Sequence, residues 1–552
     1  MTTLENCGQS IGVREQLHSI PKSSVTKHWS TFDGRTPAEI CISYHVYRTL
    51  CGHPLHKAAG KKGRDRTVSH ITPYSTRYAF GTELSTFKIP AEGVPADVVH
   101  RLLKDELGLD GRPSLNLASC VETYMEKEAE QLMVENLSNN MSDADEYPAM
   151  IDMHTRCVSI LAHLWGVQKG EKAIGSGTTG SSEAIHLGGL AMKRRWQEKR
   201  RAEDKDTSSP NIIMGANAQV ALEKFACYFE VEARILPVNE DSSYRLGPKP
   251  VKENIDENST GIFVILLSTC TGNYEPVEEI SNILDKYEKE TGVDIPIHVD
   301  GASGAFIAPF THAKAGKKWN FEPPRVKSIN VSGHKFGLVY GGVGWIIWRD
   351  ESYRPKHLVF ELHYLGGTED SYKLNFSRLG AQIIAQYYNL IHLGFSGYRN
   401  IMGNTLANAR LLSRALEYTG WYRCVSDIHR KKGDLNAGYN AGLPVVAFTL
   451  TDNLHKKEFP HVKQEAASNM LRAKQYIIPI VRESLPLDMI DRLVKDIISM
   501  TELPMKTDAV NPAAFQPSSA SIEQQHASPG LQKKHEHKAK RPSHKSVYRA
   551  VC

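Results

Sequence analysis

Short apolar runs recur through the middle of the chain and are separated by longer amphipathic stretches. NIIMG (211–215), GIFVILLS (261–268), IPIHVD (295–300) and VKSINVS (326–332) are too short for helices and rich in β-branched residues. They predict strands buried on both faces. Between and around them, 181–203, 218–230 and 277–291 place apolar residues at helical spacing. This strand–helix alternation, from about residue 115 to 405, predicts an α/β domain with a mostly parallel sheet covered by helices. From 406 to 505 the pattern is helical with fewer strands, which predicts a smaller C-terminal α+β domain. Residues 1–80 are polar, with a basic patch HKAAGKKGRDR, and 506–552 are rich in Ser, Pro, Gln, His and Lys. Both are expected to be flexible.

Charge changes the picture in one respect. The chain of 552 residues carries a formal +5, but residues 531–552 hold seven Lys and Arg against Glu536 alone. The basicity belongs to the tail and the body is close to neutral, which argues against a nucleic-acid-binding core. The Ile262–Leu267 run is far too short to cross a bilayer, and no membrane partner is expected. Nine cysteines, scattered and without a C-x-x-C pair, read as reduced thiols of a cytoplasmic protein. CGHPLH (Cys51, His53, His56) has no second ligand cluster to complete a metal site, so no metal is expected.

Three stretches carry chemistry. In GSGTTGSSEAIHLGGLAMKRRWQEKRR, a Gly/Ser/Thr loop runs into a helix with Ser181, Ser182 and Glu183 at its start and basic residues in its second half. That reads as a serine cap, or as a phosphate cradle in which free N–H groups and two hydroxyls meet an anion. IPIHVDGASGAF ends a buried strand on Asp300; the carboxylate either caps the next turn or faces the crevice where open α/β sheets bind ligands. NVSGHKFGLVYGGVGWIIWR sets Lys335 just beyond another apolar run, as a lysine that snorkels to solvent or one consumed as a Schiff base. A phosphate cradle, a carboxylate and a lysine at successive strand ends meet the needs of pyridoxal phosphate. The helix anchors the phosphate, the carboxylate keeps the ring nitrogen protonated and the lysine holds the aldehyde.

NLASC, DEYPAMIDMHTRCV, GSSEA, TCTGNYEP, HVDGASGAF, VKSINVSGHKFG, YLGG and NFSR…IAQYY together extend the pattern over most of the chain. It resembles the glutamate decarboxylase family of group II, fold-type-I pyridoxal-phosphate enzymes, in its eukaryotic form. The resemblance implies decarboxylation of L-glutamate to 4-aminobutanoate by a fold-type-I transferase-like protein. Lys335 would carry the cofactor and Asp300 would pair with its ring nitrogen. Gln219 would stack on one face of the ring, with Ala302 on the other. Ser181, Ser182, Ser332 and His334 would bind the phosphate, and Thr269 would lie near the ring oxygen. The glutamate side-chain carboxylate would be held by Ser119, Cys120, Asn140 and Asp143, and Tyr364 would close over the site on a loop. Asn140, Asp143 and Ser377 would act across a subunit interface, implying a homo-oligomer with shared sites, and segment 81–114 would pack on the partner.

The sequence also departs from the family pattern. Glu223 replaces a histidine found in bacterial members, Cys120 a phenylalanine, Gly301 an alanine and Leu379 a proline. Between YIIP and VRES the chain lacks the longer segment that ends in the arginine clamping the substrate's α-carboxylate, and Arg482 is a different position. Decarboxylation of another acidic amino acid, or a catalytically impaired paralogue that still binds cofactor, are the alternatives this raises. The tail LQKKHEHKAKRPSHKSVYRAVC has charge, but Pro542 interrupts any helix and apolar anchors are few, so calmodulin is not an expected partner.

Overall fold

A computed structural model of the chain describes residues 88–90, 93–116, 123–266, 268, 271–311, 318–362, 369–426, 428–430, 439–451 and 485–507. The chain divides into two units, Met1–Asp110 and Gly111–Cys552. In the first, Pro95 precedes a helix, Ala96–Leu107, with Asp97 in its first turn and Lys104 in its last, matching the helix dipole.

The second unit is built on a seven-stranded sheet. Its strands are β1 (Ile174–Thr178), β2 (Asn211–Gly215), β3 (Glu232–Leu236), β4 (Ser259–Ile265), β5 (Ile297–Asp300), β6 (Val326–Ser332) and β7 (Gly344–Trp348), in the spatial order β1-β7-β6-β5-β4-β2-β3. Only β7 runs against its neighbours; the other pairings are parallel. Side chains alternate between two covered faces. Ile213, Ile262, Val264, Val299, Val331, Trp345 and Ile347 enter the main core. Ile212, Met214 and Phe263 pack on the other side with Ile185, Met192, Leu222 and Phe225, while Ile346 and Trp348 meet Ala184, Leu187 and Ala191. Burial on both faces is why these strands read as largely apolar runs.

The helices Ser181–Ala202, Val220–Tyr228 and Val277–Thr291 lie where the periodicity puts them. Two short antiparallel pairs follow, β8 (Phe360–Leu362) with β9 (Glu369–Ser371) and β10 (Tyr422–Cys424) with β11 (Phe448–Leu450). A long helix, Ala381–Tyr418, kinks at Gly394, where φ is 56°. Its Leu406 still belongs to the main core, whereas Ala409, Leu412 and Leu416 join a second core with Phe448, Leu485 and Ile490. The boundary expected between residues 405 and 406 therefore lies inside a continuous helix. The last helix, Leu487–Thr507, enters the segment read as tail by two residues. The rest of that tail and residues 1–80 lie outside the described residues, as does CGHPLH. Among the described residues no helix is long and apolar enough to cross a membrane, and no group of three potential metal ligands is present.

Candidate active site

The parallel topology brings the C-terminal ends of β1, β2, β5 and β6 to one edge of the sheet, the edge at which open α/β folds bind ligands. After β1 the chain turns through Gly180 into the Ser181 helix. There the buried Glu183 carboxylate accepts from Thr179 N (2.8 Å) and Thr179 Oγ1 (3.0 Å) and from the backbone N–H groups of Leu374 (3.2 Å) and Asn375 (3.3 Å). Glu183 thus fixes the turn and ties the segment containing Ser377 to it. Ser332, ending β6, donates from Oγ to Ser181 Oγ at 2.7 Å, and both are buried. Gly344 faces this turn so closely that a methyl group on it would come within 2.5 Å of the Gly180 carbonyl carbon. A side chain at 344 would force the cradle open.

The His334 ring lies against Gly180, and its Nδ1 is buried with no hydrogen-bond partner among the described residues. Burial, and secondarily the Lys335 ammonium, lower the imidazole's pKa. The Lys335 amine is half-buried and donates to Ser303 Oγ at 3.3 Å. Asp300, almost fully buried, accepts on Oδ1 from Ala302 N (3.0 Å) and Asn330 Nδ2 (3.0 Å). Ala302 also receives the N–H of Ser332 on its carbonyl at 3.1 Å, linking the carboxylate loop to the serine pair.

Ser181, Ser332, His334, Lys335, Asp300 and Ala302 are therefore connected through short contacts. Ser182 is exposed in the helix's first turn. Gln219 caps the Val220 helix, its Oε1 accepting from Ala221 N at 2.6 Å, and Glu223 is exposed one turn on. The turn carrying Asn140 and Asp143 lies against the segment that carries Ser377. Asn140 bridges to Leu379 in antiparallel register, and its Oδ1 accepts from Arg378 N (3.0 Å) and Ser142 N (3.3 Å). Arg378 in turn donates to the Gly177 carbonyl of β1 at 2.5 Å. Ser119, Cys120, Thr269 and Tyr364, and the Pro479–Arg482 stretch, lie outside the described residues.

The residues present fit a phosphorylated pyridine aldehyde. Near the same strand ends the buried Ser268 Oγ and Thr271 Oγ1 join His334 Nδ1 in having no partner among the described residues. Polar atoms buried in this state are costly unless a ligand completes them. A primary amine, an almost fully buried carboxylate and a serine pair at a helix N-terminus are the matching chemistry.

Residues 110–432 match the pyridoxal-dependent decarboxylase conserved domain. The chain belongs to this family. Among similar members, a glutamate decarboxylase of Saccharomyces cerevisiae is 46% identical over 419 residues, covering 71% of this chain and 72% of the relative. That of Petunia hybrida is 43% identical over 448 residues, covering 78% and 85%. A solved glutamate decarboxylase of Lactobacillus brevis superposes with a TM-score of 0.68 at 35% identity, covering 77% of this chain and 96% of that one. The expected fold-type-I decarboxylase architecture and pyridoxal phosphate cofactor stand.

Three side chains around these strand ends escape the sequence reading: Ser303 on the lysine amine, and His298 and Asn330 behind Asp300; Glu183 is read at the helix start, but not its hold on Leu374 and Asn375. The signal for His298 and Asn330 is present in the strands. HVD and SINVS place polar residues at alternate positions of runs otherwise buried and apolar.

Buried histidines give the protein a pH dependence. Burial lowers His154 to about 3 and His298 to about 4, from an ordinary 6.5. The folded protein keeps both neutral while the unfolded chain takes up protons, so stability falls as pH drops from about 6.5 toward 4. Each histidine contributes roughly 2 kcal/mol of loss between pH 7 and pH 5. The urea midpoint should fall over that interval; an unchanged midpoint would mean that neither ring is held neutral.

Proposed function

We propose that the connected residues at the sheet edge form the active site with which this chain decarboxylates L-glutamate to 4-aminobutanoate and CO2. The observation that carries it is the joining of Lys335, Asp300 and the Ser181–Ser332 pair in a chain 46% identical to a glutamate decarboxylase. When bound, pyridoxal phosphate would supply an electron sink for the bonding pair left on Cα as CO2 departs.

The chain's own groups do the rest. Lys335 would hold the cofactor through its amine and yield it to the substrate amine. Asp300 holds the proton on the ring nitrogen through its opposite charge. Ser181, Ser182, Ser332 and the neutral His334 ring receive the phosphate at the helix N-terminus. Gln219 and Ala302 would bound the ring's two faces, and Thr269 would serve its oxygen. Ser119, Cys120, Asn140 and Asp143 select the distal carboxylate, and Tyr364 closes the site.

The enzyme is read as a cytoplasmic homo-oligomer. Reduced Cys157, Cys227 and Cys424 suit a reducing compartment. Asn140 and the Ser377 segment share one surface ladder, and Leu374, Phe376 and Leu379 beside it are 46%, 41% and 52% exposed. That apolar surface suits a second copy of the chain, in which Asn140, Asp143 and Ser377 would complete the neighbouring site.

Asn140 uses Oδ1 within its own chain, and among the described residues Nδ2 has no acceptor, leaving it as the donor for a carboxylate. Asn140→Asp keeps the first role and removes the second. It should raise the KM for glutamate by at least tenfold, since a hydrogen bond to a charged group is worth about 1.5–3 kcal/mol. Cofactor affinity should be unchanged. Steady-state kinetics and a cofactor titration check this; an unaltered KM would remove Asn140 from the substrate site.

A further inference from the structure

We propose that Ser328, His298 and Asn330 are positioning residues, a hydrogen-bonded relay that fixes the Asp300 carboxylate toward the cofactor's ring nitrogen. The inference rests on the reading of Asp300 given above and extends it to three residues behind it. His298 and Asp300 are alternate residues of β5; Ser328 and Asn330 are alternate residues of β6. The register pairs His298 with Ser328 and Asp300 with Asn330, so all four side chains share one face.

The bonds run in one direction. Asn330 Nδ2 donates to Asp300 Oδ1 at 3.0 Å, so the acceptor end of that amide faces His298 Nε2, at 2.8 Å. Nε2 must therefore carry the ring hydrogen, which leaves Nδ1 to accept from Ser328 Oγ at 2.7 Å. Burial favours this neutral imidazole. With Ala302 N as the second donor, Oδ1 is fully engaged. Oδ2 takes no donor among the described residues and is the oxygen left for a ring N–H.

Packing prevents the relay from rotating away. Phe263 meets the His298 ring edge-on, with centroids 5.5 Å apart. Gly188, on the Ser181 helix, approaches so closely that a methyl group there would lie 2.5 Å from His298 Nδ1. The phosphate-binding helix and the carboxylate support are thus in direct contact. His298, Asn330 and Ser328 are each at most 1% exposed. Apolar side chains would fill this volume without the desolvation cost of three polar ones, so packing alone does not account for them.

The test uses the full chain reconstituted with pyridoxal phosphate labelled with nitrogen-15 in the ring, whose chemical shift reports ring protonation. Asn330→Ala should move that shift toward the unprotonated value and speed cofactor dissociation on the order of tenfold, the scale of one lost hydrogen bond to a charged group. Ser328→Ala, at the far end, should shift both in the same direction by less. Apoprotein melting temperatures establish that each variant is folded, and if Asn330→Ala is not, Ser328→Ala decides. A folded variant set with wild-type shift and dissociation rate overturns the relay. Wild-type protein that binds no cofactor, or binds it with an unprotonated ring, overturns the Asp300 reading and the relay with it.

Discussion

Lys335→Ala should leave a folded protein that decarboxylates glutamate at least about 1000-fold more slowly, within the range expected for loss of a group that forms bonds and moves protons. The fold has little invested in this side chain. It is half-buried, and among the described residues its amine makes one 3.3 Å hydrogen bond, to Ser303. The stability cost should therefore stay near 1 kcal/mol. Cofactor retention should fall together with turnover, because the covalent link is lost. Borohydride reduction followed by peptide mapping checks the assignment: the pyridoxyl mass should appear on the Lys335 peptide of the wild type and nowhere in the variant. Label on another lysine would displace Lys335 from the centre of the site.

Asp300→Asn should lower kcat by about 100-fold or more. An opposite charge in hydrogen-bond reach shifts a pKa by about 1–3 units, and the ring acts as an electron sink only while its nitrogen is protonated. The substitution nearly preserves shape. Its Oδ1 can still accept from Ala302 N and Asn330 Nδ2, while the new amide presents N–H where the carboxylate presented oxygen. Stability should change little while turnover collapses. Kinetics at saturating glutamate with a parallel urea titration separate the two effects. Equal losses in both would make Asp300 a structural residue.

How far the chain could be read depended on what each strand buries. β2, β4, β5 and β6 are covered on both faces, so apolar residues dominate them and each is visible as a run, even where His298, Ser328 and Asn330 interrupt it. β1 (IGSGT) and β3 (EARIL) were not legible. The first is small residues admitting close neighbours, and the second is an edge strand with exposed Glu232, Ala233 and Ile235. Lys335, Asp300 and Ser181 announced themselves because each follows a strand or opens a helix. Ser303, Asn330 and His298 did not, because their roles come from cross-strand register and from loop folding, which link residues 30–32 apart. Gln219 shows the converse: its position was readable, but not its engagement as the cap of its own helix. The ladder joining Asn140 to the Ser377 segment spans more than 230 residues and has no local signature.

The reaction itself is read by giving the purified full chain, reconstituted with pyridoxal phosphate, L-glutamate labelled in the C1 carboxylate. Labelled CO2 and 4-aminobutanoate should form one to one, and the Lys335→Ala protein should release neither above background. Retention of the C1 label under conditions where the wild type carries its cofactor, or equal release from the variant, would contradict the account.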